Sequence, residues 1–362
     1  MIWRCDLVPQ YLALESEIGA AIHRVLKSGR YILAEELQQF EDAFASYLGA
    51  DHVIGVANGT DGLTLALQAA GVGSGDEVIT TPFTAIPTVA AIVDAGARPV
   101  FVDICADTFL MDIGRVPAAV TERTKAVMPV HIFGNPVDIR RLRSLIPSRI
   151  AIVEDAAQAH GSSSGGRMCG AMGDLGVFSF YPTKNLGGYG DGGAVATSNA
   201  KYASNVRLRR TYGMVDKDHT EIHGVNSRLD EIQAAILRCK LPYLDRQNEV
   251  RRSIAARYRA ELRSDLFTHQ AIPPDGVPNY HVFVARMARD RDRMVEYLDK
   301  HGVQTNIYYP LPLYRQEPLA GDCRGLHLAN VEALCREVIA LPMYPELESA
   351  VVTQIISVIN SF

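Results

Sequence analysis

Apolar positions recur in two rhythms along this chain. Over residues 36–48, Leu37, Phe40, Phe44 and Leu48 fall at helical spacing, and Gly49 stands where a helix would stop. This predicts an amphipathic helix with one buried face. From residue 52 onward the rhythm changes to short apolar runs that end in polar residues or Gly: HVIGVA at 52–57, EVITT at 77–81, RPVFVD at 98–103, KAVMPVH at 125–131, RIAIVED at 149–155, GVFSF at 176–180 and GGAVAT at 192–197. Stretches of roughly helix length separate most of them. Alternating strand and helix signals of this kind predict an α/β fold, with a mostly parallel sheet covered by helices.

Past residue 225 the texture shifts. Leu229 to Arg263 reads as a long charged helical stretch interrupted at Pro242, and a domain boundary is expected there, giving a large α/β domain over 1–243 and a smaller one over 244–362. After the Pro-rich loop AIPPDGVP (271–278) come HVFVARM as a strand, RDRMVEYLDKHG as a helix ended by Gly302, and VQTNIYY as a further strand. That set is a small α+β domain.

Length and composition narrow the class. The chain has 362 residues, 48% hydrophobic and 21% charged, so it can bury a sizeable core and is too apolar to be disordered. A net charge of −5, with Lys and Arg dispersed, gives no electrostatic pull toward nucleic acid. No run approaches the ~20 apolar residues of a membrane span, and the opening MIWRCDLVPQYLALESEI lacks a secretory pattern, so a cytoplasmic protein without a membrane partner is expected. The six cysteines form no C-x-x-C pair and no zinc spacing; no metal site is expected, and the thiols read as reduced and structural.

Four segments carry chemistry, each where a strand ends or a helix begins, the edge at which open α/β sheets bind ligands. In VANGTDGLTLALQ (56–68) a strand turns through Asn58–Gly59–Thr60–Asp61 into a helix whose free N–H groups suit a phosphate, or simply carry an ordinary cap. AIVEDAAQAHG (151–161) delivers Glu154 and Asp155 to a strand end beside small Ala residues; a carboxylate there can meet a buried cation or serve a salt bridge. In GVFSFYPTKNLGGYGDGG (176–193), Ser179 and Lys184 leave a strand into a Gly-rich loop, where desolvation would make the lysine a nucleophile and solvation would leave it inert. The loop does not match an ATP-type P-loop. HGVNSRLDEIQAAILRCKL (223–241) opens a helix that Asn226 or Ser227 would cap.

Taken together, these segments closely resemble the nucleotide-sugar aminotransferases of the DegT/StrS type, pyridoxal-phosphate enzymes with the aspartate aminotransferase fold (fold type I). The resemblance runs over nearly the whole chain and is most specific in EDAAQAHG and FSFYPTKN. It implies that Lys184 holds pyridoxal 5′-phosphate covalently and moves the proton, and that Asp155 pairs with the pyridine nitrogen. It further implies that Gln158 meets the phenolic oxygen, that Ala157 packs on the ring, and that Gly59, Thr60, Asp61 and Ser179 bind the phosphate. Asn226 is expected to reach the phosphate of a neighbouring subunit, making a homodimer with shared sites. Relatives with His in place of the lysine are sugar dehydratases, a reading Lys184 argues against.

The sequence departs from the family pattern twice. Ala85 stands where relatives often place a ring-stacking aromatic, which leaves Phe83 or smaller side chains to hold the ring, and Tyr308–Tyr309–Pro310 replaces a common His-Tyr-Pro, which puts the substrate contact at Tyr308 in question. Tyr181 is a candidate wall of the sugar site, and Arg228 a candidate for the donor's carboxylate or a helix-start salt bridge. His131 and His160 are assigned to the scaffold.

The implied reaction is ping-pong. L-glutamate gives its amino group and leaves as 2-oxoglutarate, the cofactor passes through pyridoxamine 5′-phosphate, and a nucleotide-linked keto sugar receives the amine. PFTAIPTVAAI with the 224–248 stretch leans toward the branch that aminates the 3-position of dTDP-deoxysugars. Amination at the 4-position, and a non-catalytic cofactor-binding regulator, are the alternatives.

Overall fold

A computed structural model describes residues 1–321 and 323–362. After helix α1 (Val8–Ser28), helix α2 (Glu35–Leu48) occupies the stretch whose spacing predicts it. Leu37, Phe40, Phe44 and Leu48 are all buried, and Gly49 ends the helix at φ 68°, the left-handed conformation that glycine adopts without a Cβ clash. Its N-terminus is closed from far away in sequence. Glu231 accepts the N–H groups of Ala34 (2.7 Å), Glu36 (2.8 Å) and Leu37 (3.2 Å), donors that the first turn of a helix cannot satisfy itself.

Strands β1 (His52–Val56), β2 (Glu77–Thr80), β3 (Arg98–Phe101), β4 (Thr124–Val127) and β5 (Ala151–Asp155) are followed by a short hairpin, β6 (Ser163–Ser164) and β7 (Arg167–Met168), and then by β8 (Leu175–Ser179) and β9 (Gly193–Thr197). Seven of these form one sheet in the order β1-β9-β8-β5-β4-β2-β3. The pairs β3–β2, β2–β4, β4–β5 and β5–β8 are parallel, while β9 runs against both β8 and β1. The C-terminal ends of β1, β2, β5 and β8 therefore share one edge.

Helices α3 (Gly59–Ala69) and α4 (Ile86–Asp94) follow β1 and β2, α5 (Val116–Ala119) and α6 (Ile139–Leu145) follow β3 and β4, and α7 (Ala200–Arg209) follows β9. Leu63, Leu67, Ile92 and Val206 pack on one face of the sheet with Val153 and Val177. On the other face, Ile152 packs with Ile139 and Leu142, and Phe178 with Phe40, Phe44 and Leu237 of α8 (Glu231–Lys240). Successive residues of a strand point to opposite faces, so strands covered on both sides are apolar throughout.

The helical stretch around Pro242 is broken by a turn at Leu241–Tyr243, after which α9 (Leu244–Glu261) begins. Beyond it, β10 (Thr268–His269) leads to β11 (Gly276–Val277), which pairs with β6, and to β12 (Phe283–Arg286), which pairs with β10 and β13 (Val338–Leu341). Helices α10 (Arg291–Lys300), α11 (Glu317–Ala320), α12 (Ala329–Glu337) and α13 (Ser349–Asn360) complete the region. Phe283, Ala285, Ile339 and Leu341 face a separate core with Tyr258, Met294 and Ile355, while Val284 and Ala340 join the core of the large sheet.

Three details differ from the sequence expectation. Helix α8 begins at Glu231 behind Asp230, so neither Asn226 nor Ser227 caps it, and Ser227 Oγ accepts the Ala57 N–H instead. VQTNIYY forms no strand; only Val303 and Asn306 make single bridges, to Ile2 and Ala340. Local side-chain bonds compete with a ladder there: Asn306 Oδ1 takes the Ile307 N–H, and Gln304 Oε1 takes that of Arg4. The first residues also run along the C-terminal region, where Ile2 and Cys5 pack on its core.

Candidate active site

The shared strand edge opens into a cavity of about 260 Å³. The start of α3 lines it with Asn58, Gly59 and Thr60, and the approach to α4 with Thr84, Ala85 and Thr88. The end of β5 adds Asp155, Ala157 and Gln158, and the end of β8 with its loop adds Ser179, Tyr181 and Lys184. Every one of the first three chemical segments contributes. The sheet order explains this: β5 and β8 are neighbours, with Asp155 opposite Val177, and Ser179 lies two residues further along the same face.

At one end of the cavity stands the N-terminus of α3. Asn58 Oδ1 accepts the Asp61 N–H at 2.9 Å, which fixes the turn, while the N–H groups of Gly59 and Thr60 have no acceptor among the described residues. A Cβ on Gly59 would lie 2.8 Å from Ser179 Cβ, and one on Gly193 would lie 2.5 Å from the carbonyl carbon of Asn58. Glycine at both places lets the helix start, β8 and β9 close together. Ser227 Oγ holds the Ala57 N–H at 3.0 Å from the far side. Two unpaired N–H groups, the Thr60 and Ser179 hydroxyls and the positive end of a helix fit a phosphate.

Across the cavity, Asp155 is buried yet incompletely bonded. Oδ1 accepts the Ala157 N–H at 3.1 Å and Oδ2 accepts the Thr88 hydroxyl at 2.7 Å, leaving lone pairs toward the cavity. Burial pushes its carboxyl above the usual range, opposed by Thr88, the Ala157 N–H, Lys184 and His131. A ligand cation placed there would remove the penalty.

Lys184 faces the same cavity, and burial and the charge of Asp155 are what act on its amine. Burial lowers its pKa to about 8, opposed by Asp155, so a substantial share of the amine is neutral near physiological pH. The backbone around it is held tightly. Asn185 Nδ2 donates to Asn248 Oδ1 (2.8 Å) and to the Asn279 carbonyl (3.2 Å), and His281 Nδ1 lies 3.2 Å from Asn185 Oδ1. The glycine-rich loop that follows is fastened from α8: Gln233 Oε1 accepts the Tyr189 N–H at 2.8 Å, and the buried Lys240 donates to the Gly187 carbonyl at 2.6 Å. A nucleophilic amine, an anion subsite and a carboxylate around one cavity fit an aldehyde-bearing pyridine phosphate.

Other expected residues are placed differently. Gln158 lines the cavity, but its Oε1 takes the Phe133 N–H (2.8 Å) and its Nε2 donates to Tyr309 Oη (3.1 Å), leaving one N–H free. Phe83 is fully buried, edge-on to Phe133 and Tyr309, and is not in the cavity wall; the strand-end turn directs Thr84 and Ala85 there instead. Asp61 also stays outside the wall, its N–H already taken by Asn58. Tyr181 stands at the mouth, 54% exposed. Tyr308 lies outside the wall, with its hydroxyl bonded by Arg4.

Asn226 and Arg228 are likewise absent from the wall: Asn226 is exposed, and the buried Nε of Arg228 has no hydrogen-bond partner among the described residues. His131 and His160 are fully buried. His131 Nδ1 accepts the Val137 N–H, which leaves its proton on Nε2, facing Glu154. Burial and the charge of Lys184 hold His160 down at about 3, a neutral ring against Phe178 and Phe180. Sequence reasoning missed Thr84 and Thr88, whose signal is a Thr pair four residues apart spanning the start of a helix just after a strand.

Comparison with known proteins agrees in extent with this geometry. Residues 13–360 match the sequence pattern of the DegT/DnrJ/EryC1/StrS aminotransferase family. The chain is 42% identical to a dTDP-3-amino-3,4,6-trideoxy-alpha-D-glucose transaminase of Streptomyces venezuelae, over 99% of this chain and 95% of that one. It is 43% identical to a pleiotropic regulatory protein of Geobacillus stearothermophilus, over 95% and 93%. The crystal structure of S. venezuelae DesV in complex with a ketimine intermediate superposes with a TM-score of 0.95 at 42% identity, covering 98% of this chain and 96% of that one.

Proposed function

Because the chain belongs to the DegT/DnrJ/EryC1/StrS aminotransferase family, we propose that it moves an amino group from L-glutamate to C3 of a keto-deoxysugar carried on dTDP. The observation that carries this reading is the joint one: 42% identity over 99% of the chain to a 3-amino-deoxysugar transaminase, together with Lys184, Asp155 and two helix N–H groups without acceptors among the described residues around one cavity.

Pyridoxal 5′-phosphate, when bound, supplies an aldehyde and an electron sink for the exchange of amino groups. Gly59, Thr60 and Ser179 would hold its phosphate, Asp155 would face its ring nitrogen, and Ala157 and Gln158 would border the ring. Lys184, lowered to about 8, takes up and returns a proton at Nζ near neutral pH. Tyr181, at the mouth, borders the space left for the sugar.

Further parts belong to the same reading. The chain acts as a homodimer in which Asn226 completes the phosphate site of the other copy; its exposure, and that of Tyr212 and Val225 on the same segment, supports this. The functional division lies near Leu244, supported by the separate core that Tyr258, Phe283 and Ile355 build beyond it. A cytoplasmic location is part of the reading as well. Among the described residues no helix is long and apolar enough to cross a membrane.

The similarity to a regulatory protein raises a second reading, a cofactor-binding regulator. The lowered amine and the open carboxylate favour chemistry, since a purely structural ligand needs neither. Incubating the protein with glutamate and 3-keto and 4-keto sugars on dTDP, UDP and GDP decides between them. Amination of the 3-keto dTDP sugar is expected; exclusive turnover of 4-keto compounds would overturn the assignment to C3, and no turnover with bound cofactor would favour the regulator.

A further inference from the structure

Asp155 is reached from the α4 side by two hydroxyls in series. Thr88 Oγ1 lies 2.7 Å from Asp155 Oδ2, and Thr84 Oγ1 lies 2.8 Å from Thr88 Oγ1. Both threonines are buried, and both line the cavity. Thr84 sits just before α4 and Thr88 is its third residue, so the carboxylate rests against the positive end of that helix. The N-cap, Ala85, offers no side chain to that end.

Donor and acceptor roles follow from the number of protons. An ionised carboxylate only accepts, so Thr88 must donate its single proton to Asp155, and Thr84 must then donate to Thr88. Each bond strengthens the next, and the one that ends on a charge is the strongest. The Ala157 N–H fixes the other oxygen from the opposite side. These contacts leave the carboxylate one way to turn, with its free lone pairs toward the cavity.

We infer that Thr88, backed by Thr84, is a positioning residue that keeps Asp155 ionised and aimed at the cofactor's ring nitrogen. The inference rests on the function proposed above for the identity of that cofactor, and on the hydrogen bonds alone for the state of Asp155. Besides these hydroxyls, Lys184, His131 and Tyr309 are the titratable groups that act on Asp155. His131 donates its backbone N–H to the Asp155 carbonyl, but none of the three donates to the carboxylate, so none replaces Thr88 when its hydroxyl is removed.

The test uses Thr88→Val, which keeps the shape and removes the donor, Thr88→Ser, which restores it, and each change again in an Asp155→Asn background. In cofactor-free protein labelled with ¹³C-aspartate, the Asp155 carboxyl resonance is identified by its loss in Asp155→Asn and titrated by NMR. Thr88→Val should raise its midpoint by about one pH unit, which corresponds to about a tenfold weaker hold on the charged form. Thr88→Ser should return it to the wild-type value.

Affinity for pyridoxal 5′-phosphate, read by absorbance titration, should fall about tenfold in Thr88→Val and change less than about twofold when the same change is made in Asp155→Asn. Thr84→Val should act in the same direction with a smaller effect, and it carries the test if Thr88→Val does not fold. An unmoved Asp155 titration, or an equal loss of affinity in both backgrounds, overturns the inference. A wild-type protein that binds no pyridoxal 5′-phosphate would sink the proposed function instead, and the NMR titration would still decide the role of Thr88.

Discussion

On β5, Glu154 turns toward the layer that holds His131 and the 170–173 turn, whereas Asp155, its neighbour, turns toward the cavity. Glu154 accepts the N–H groups of Gly170 (2.9 Å), Met172 (2.7 Å) and Gly173 (2.6 Å) and meets His131 Nε2 at 2.8 Å. Asp155 has two donors and free lone pairs. Two lysines whose amines are lowered by desolvation divide the same way, Lys240 buried and Lys184 partly so. Lys240 donates to Gly187 and lies over the Tyr189 ring, 4.8 Å from its centroid, while Lys184 faces the cavity beside Asp155. Burial and charge are common to each pair; what separates scaffold from site is whether the protein itself satisfies the group.

The sharpest way to break this contrast is at Lys184. Lys184→Ala should remove transaminase activity by at least about 10³-fold and abolish the absorbance of covalently held cofactor. Retained activity would end the catalytic assignment.

The carboxylates come next and should respond in different observables. Asp155→Asn should leave the fold intact and lower the rate about 10²-fold, measured as single-turnover reaction with glutamate. Glu154→Ala should instead lose about 3–5 kcal/mol of stability in urea denaturation, because three N–H groups and His131 lose their acceptor, with activity per folded molecule within about tenfold. If both variants lost activity equally without loss of stability, the division would be wrong.

A smaller effect tests the amine. With Lys184 at about 8, the neutral fraction grows with pH until the group is fully deprotonated. Cofactor capture by the cofactor-free protein should quicken about tenfold from about pH 7 to about pH 9 and then level off. A rate that keeps climbing past about pH 10 would mean an ordinary, solvated lysine.

The smallest concerns Lys240, also lowered to about 8 from an ordinary 10.5 by burial. Between those values the unfolded chain holds this proton and the folded one does not, so the contribution of the group to stability rises with pH across that window. The stability difference between wild type and Lys240→Met should therefore shift in favour of wild type from about pH 8 to about pH 10. A constant difference would show that Lys240 keeps its proton in the fold.

Much of the scaffold is legible in the chain because its signals are local. The α2 face is written in Leu37, Phe40, Phe44 and Leu48, and the buried strands in short apolar runs. The Glu231 cap on α2, by contrast, joins residues nearly two hundred positions apart, and no spacing rule reaches across that distance. Phe83 shows the limit at closer range: the sequence offers an aromatic near the cofactor, but packing with Phe133 and Tyr309 turns it inward and leaves Thr84 and Ala85 at the wall.

By itself the sequence determined the alternation of strands and helices, the Gly-rich loop after Lys184 and the two acids at the end of β5, since each depends on neighbours in the chain. Only the tertiary structure decided which of those acids keeps free lone pairs, which lysine faces the cavity and that Thr88 donates to Asp155. Whether a buried polar group is satisfied depends on partners brought in by folding, and the fold supplies them from distant positions along the chain.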